Sequence, residues 1–101
     1  MRARPDQWMA RIRLVYGSAP RLSEADRLAA LQHFLAAAFE GCWGSMSRRD
    51  QHLYRMLLRA TSLKPVQQLR FECFDLMCRL LGEGVARARQ QQIDGWLTDR
   101  R

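Results

Sequence analysis

"VQQLRFECFDLMCRLLG", residues 66–82, decides the fold. At 100° per residue, Leu69, Cys73, Leu76 and Leu80 fall on one flank of a helix, and Phe71, Phe74, Cys78 and Leu81 on the other. Gln68, Glu72, Asp75, Arg79 and Glu83 leave a polar strip about 80° wide. A helix that is apolar over most of its circumference must be covered on two sides, by a surrounding bundle or by a second chain.

The flanking residues set its bounds. Pro65 disfavours helix at Lys64 and suits the first turn of a new helix, so this helix is expected from Val66. Gly82 and Gly84 weaken it at "GEG", where the chain kinks or starts a fifth helix. Residues 85–98 are good helix formers, with Ile93, Trp96 and Leu97 as an apolar patch.

Working back, Ser47 with Asp50, and Ser23 with Asp26, carry the spacing of a capping box. Behind the first, Leu53, Tyr54, Leu57 and Leu58 make an apolar arc. Behind the second, Leu28, Leu31, Leu35 and Phe39 share a face, with Phe34 at its edge. Ala29, Ala30, Ala36 and Ala37 would let a neighbouring helix approach closely. Near the N-terminus, Trp8, Ile12, Val15 and Tyr16 line one face of a further helix, ended by Gly17. No stretch alternates as a strand would. The expectation is an all-α, small four- or five-helix bundle in one domain, with helices about 6–16, 24–40, 48–61, 66–82 and 85–98. Its generous apolar surface, including Trp8, Trp43 and Trp96, predicts a homodimer or a standing partner.

With 48% hydrophobic and 27% charged residues, the 101-residue chain is too apolar for a disordered tail. No apolar run approaches the ~20 residues needed to cross a bilayer, so no membrane role is expected. Cys42, Cys73 and Cys78 make an odd count, and no apolar stretch follows the basic opening as in a secretory signal. Free thiols and a cytoplasmic location are expected.

The chemistry of catalysis is missing. Cys73 and Cys78 diverge by about 140° on a helix, which does not suit a shared zinc ion. His33 lies seven residues from both Asp26 and Glu40, about 10.5 Å along the helix axis and beyond hydrogen-bond reach. His52 sits among arginines with no carboxylate partner nearby. No phosphate loop, dinucleotide fingerprint, metalloprotease pair or nucleophile elbow occurs. No enzyme, cofactor or metal is expected.

The net charge is +7, and 16 of the 17 basic residues are Arg. Residues 1–21 carry five Arg against Asp6, giving +4; residues 48–59 carry four Arg against Asp50, giving +3. Within the second block, Arg48, His52, Arg55 and Arg59 recur at steps of four, three and four and cover about 60° of arc opposite Leu53 and Leu57. Such a ridge is a solvated face, an address for an acidic protein, or a track for a phosphate backbone. Trp43, flanked by Gly41 and Gly44, either plugs the core or anchors a partner.

These features predict a non-enzymatic regulator or adaptor that occludes an acidic partner protein. An apolar helix face and the ridge Arg48, His52, Arg55 and Arg59 would make the contact, together with Trp43. The alternative is a nucleic-acid binder using the same ridge. In a helix-turn-helix version, Gln67, Gln68 and Arg70 would open a recognition helix.

Overall fold

The computed structural model describes residues 22–98. The helix expected over 6–16, with Trp8 and the first block of arginines, lies outside the described residues. Within them the fold is all-helical: α1 (Glu24–Ala38), α2 (Arg48–Arg59), α3 (Leu63–Gln68), α4 (Arg70–Leu81) and α5 (Glu83–Leu97), with a 3₁₀ turn at Trp43–Ser45.

The two serine caps form as their spacing predicts. The Ser23 hydroxyl accepts from the Asp26 N–H at 3.1 Å, and the Ser47 hydroxyl from the Asp50 N–H at 3.1 Å. Each satisfies one of the N–H groups that the first turn of a helix leaves without an internal partner.

The helix expected over 66–82 is corrected at its start and in its middle. It begins at Leu63, so Lys64 is helical despite preceding proline. The Ser62 side chain makes no cap bond; instead Glu24, in the first turn of α1, accepts from the Leu63 N–H at 3.1 Å. A carboxylate 39 residues away thus supplies the cap. The helix then breaks at Leu69 (φ −98°, ψ 11°), dividing α3 from α4. The fifth helix is separate. Gly82, at φ 92° and ψ 153°, ends α4 and lets α5 start at Glu83 rather than 85. The helices expected to reach Glu40 and Thr61 stop at Ala38 and Arg59.

The core takes the whole predicted face of α1 but only part of those of α2 and α4, and adds Leu63, Val66, Met77 and Ala86. Leu28, Leu31, Leu35 and Phe39 of α1 and its flank are buried, as are Leu57 of α2, Leu63 and Val66 of α3, and Cys73, Leu76 and Met77 of α4. Helix α5 closes the bundle with Ala86, Ile93, Trp96 and Leu97, packing on α4 and α1. Trp96 meets Phe34 edge-on, with centroids 5.3 Å apart. Of the Ala-rich face only Ala30 is buried, whereas Ala29, Ala36 and Ala37 are exposed.

Candidate functional site

Helix α2 is amphipathic and lies over the core through Leu57, with Leu53, Tyr54 and Leu58 half-buried. Its outer side carries Arg48, Arg49, His52, Arg55 and Arg59, all exposed. Among the described residues none of the five forms an ion pair; the pairs are Arg70–Asp94, Arg79–Asp50, Arg79–Asp75 and Arg87–Glu83.

Arg55 has a different neighbour. Its guanidinium lies 5.0 Å from the centroid of the Trp43 ring, a cation–π distance. Trp43 in turn is tilted against Tyr54 at 6.2 Å, and Tyr54 meets Phe39 edge-on at 5.3 Å. Trp43 is therefore not a buried plug. It is 40% exposed, at the outer end of an aromatic row that starts in the core.

Beside the ridge runs a groove, between α2 and α4 in its larger part and between α2 and Pro65 of α3 in its smaller. Two adjoining depressions, of about 700 Å³ and about 400 Å³, share His52, Met56 and Leu69. Met56 is 43% exposed, and Phe71, on the far wall, is 75% exposed. Arg49 and His52 stand on the α2 side of the larger depression, with Glu72, Asp75 and Arg79 opposite; Arg55 and Arg59 line the smaller one. The groove extends along much of α2, whose 12 residues span about 18 Å.

One end of the groove is closed by charge. Arg79 donates to both Asp50 oxygens, at 2.9 and 3.0 Å, and to Asp75 at 3.0 Å. Asp50 is only 6% exposed. The Arg79 hydrogen bonds hold its carboxyl below the usual carboxylate range, against the opposing effect of burial, with Ser47 helping. The same bonds raise the pKa of Arg79.

The residues of the helix-turn-helix alternative do not gather into one exposed helix start. Gln67 and Gln68 close α3, while Arg70 opens α4. Gln67 donates to the Leu97 carbonyl at 2.6 Å, and Arg70 binds Asp94 through two bonds of 2.7 Å. Both tie the end of α5 to the α3–α4 junction. Gln68 is exposed.

Sequence reasoning missed Arg49, Met56, Leu69, Glu72 and Asp75 as groove residues. A signal existed for Phe71, which sits on the second apolar flank of residues 66–82. The first flank is taken up by the core through Cys73 and Leu76, while Phe71 stays outside.

The other titratable groups lie elsewhere. Cys73 is buried, and burial pushes its thiol up to about 12. Among the described residues no three His, Cys, Asp or Glu side chains gather as a metal site, and no helix is long and apolar enough to cross a membrane. Comparison with models of known protein families, with curated proteins and with solved structures gives no match.

Proposed function

We propose that this chain is a small, non-enzymatic regulator or adaptor that binds a partner protein stoichiometrically. The carrying observation is the pairing of an open apolar groove, with Met56 and Phe71 exposed, and a rim of Arg49, His52, Arg55 and Arg59 that forms no ion pair among the described residues. Apolar contact in the groove supplies affinity, and the rim steers and orients an acidic partner. Trp43 extends the rim, because Arg55 already stacks on it. A non-enzymatic role also fits Cys73, whose thiol stays protonated at neutral pH and is a poor nucleophile.

Nucleic-acid binding has the ridge in its favour. Against it stand Glu72 and Asp75 on the opposite wall, which repel phosphate, and the internal bonds of Gln67 and Arg70. A second copy in the groove would set one +3 helix against another.

The test uses the whole chain and its Phe71→Ser variant as baits in host lysate, beside gel shifts with random duplex and single strand at 50 and 200 mM salt. The expected result is a partner held in 1:1 ratio by the wild type and lost by the variant, with no gel shift at either salt. Equal capture by the variant removes the groove from the function, and a gel shift at 50 mM salt that weakens by orders of magnitude at 200 mM replaces the protein partner with a nucleic acid.

A further inference from the structure

The two walls of the groove differ in sign. On the α2 side, Arg49, Arg55 and Arg59 sum to +3, with His52 between them. Opposite, along the larger depression, lie Glu72 and Asp75 with Arg79, two acids against one base, giving −1, while Pro65 and Leu69 border the smaller one. Asp50 belongs to α2 by sequence, but its carboxylate is turned to Arg79 of α4. Between the walls the floor is apolar, through Leu53, Met56 and Leu69. An occupant is therefore asked for three things: an apolar face, an acidic flank toward α2, and a neutral or basic flank toward α4.

Resting on the protein-binding reading above, we infer that the groove takes an amphipathic helix acidic along one flank, and in one lengthwise direction only. A helix of about three turns matches the length of α2, and helix in groove is how such a floor is filled. Turning that helix end for end while keeping its apolar face down exchanges its flanks. The acidic flank then faces Glu72 and Asp75, and a basic second flank would face the arginines of α2. The direction is thus set by repulsion as much as by attraction. Charge also disfavours two nearer occupants. The chain's own residues 1–21 carry +4, and a second copy presents the same basic α2.

Two stapled 14-residue peptides of equal composition test this. Both carry a Leu/Phe stripe at helical spacing. One has Glu on the left flank and Lys on the right, and the other has the reverse. A third has Lys on both flanks. Each bears a nitroxide at its N-terminus and is titrated into the ¹⁵N-labelled 101-residue chain. The first two should bind within about threefold of each other and at least tenfold more tightly than the third. They should lie in opposite directions: one nitroxide broadens amides near Ser47 and Arg79, the other those near Ala60 and Lys64. In the Arg55→Glu/Arg59→Glu variant, checked for fold by circular dichroism, the directional preference should disappear.

If both peptides bind but broaden the same end, or both ends equally, the directional inference is wrong while the protein-binding reading stands. If neither binds, or the shifts fall away from Met56 and Phe71, that reading falls too and takes the inference with it. Groove amides that move on diluting the chain alone would point to a second copy. Displacement of bound peptide by a single-stranded oligonucleotide would point to nucleic acid. Either result overturns the inference.

Discussion

Asp50 and Arg79 form an unequal pair, because Asp50 is buried and the Arg79 side chain is half exposed. Removing Arg79 strands a carboxylate out of water, whereas removing the Asp50 charge leaves a guanidinium that water can reach. Arg79→Met should therefore destabilise by about 2–3 kcal/mol and Asp50→Asn by about 1–2, the usual buried-pair figures being reduced for that exposure. Urea unfolding at pH 7 measures both; equal losses would mean that Asp50 is not effectively desolvated. The pH dependence has a definite sign. The folded pKa of Asp50 lies below its ordinary 3.8, so its contribution is complete above about pH 4 and is lost as pH falls through the folded value. Thermal unfolding at pH 5 and pH 3 should show a smaller drop for Asp50→Asn than for the wild type. This pair could not be read from the sequence. Asp50 is legible there as a capping-box residue of α2 and Arg79 as part of a solvated strip, and their separation by 29 positions hides the contact.

Helix ends show where local reasoning succeeds and where it stops. The caps at Ser23 and Ser47 are contacts over three residues, so spacing alone reveals them. The α2–α3 junction is held from a distance. Gln32 of α1 donates to the Leu57 and Ala60 carbonyls at 3.2 and 2.9 Å, while Glu24 accepts from Leu63. Gln32→Ala leaves two part-buried carbonyls without that donor and should destabilise by about 1–2 kcal/mol in chemical unfolding. Loss near zero would mean water replaces the amide. The break at Leu69 has no glycine or proline to announce it, since Gln67, Gln68, Leu69 and Arg70 are ordinary helix residues. Its partners are tertiary: Gln67 on Leu97 and Arg70 on Asp94. By contrast "GEG" was legible as a weak point, and its two glycines do different things. Gly82 sits at φ 92° and ψ 153°, a region open to glycine and little else, whereas Gly84 lies within α5; a Cβ meets nothing within 4 Å at either. Gly82→Ala should therefore cost about 1–3 kcal/mol through backbone strain alone, and Gly84→Ala should gain about 0.5 by stiffening the unfolded chain. Thermal melts of the two variants should move in opposite directions.

Across the whole molecule the charge on α2 works against the chain's own stability. A net +7 repels itself, and Arg55 and Arg59 are like charges at the i,i+4 spacing. Arg48 and Arg49 stand in the first turn of α2, where the helix dipole favours acids; only Arg59, in the last turn, is helped by it. A surface needed merely for solubility would be served as well by mixed signs. The stretch from Arg48 to Arg59 instead concentrates one sign beside an apolar groove, which is the arrangement expected where affinity for another molecule outweighs the stability of the free protein. The consequence is measurable without knowing the partner. Arg48 does not line the groove, so Arg48→Glu changes the field on α2 and leaves the site's lining intact. The new carboxylate would face the helix N-terminus and stand four residues before His52. The net charge would fall from +7 to +5, because one reversal removes two units. Stability at 20 mM salt should rise by about 0.5–1 kcal/mol. The wild type should itself gain stability as salt rises to 0.5 M, and the advantage of the variant should shrink over the same range as screening takes hold. If Arg48→Glu is neutral or harmful at low salt, the basic helix is not under electrostatic strain, and its charge then calls for no explanation beyond keeping the chain in solution.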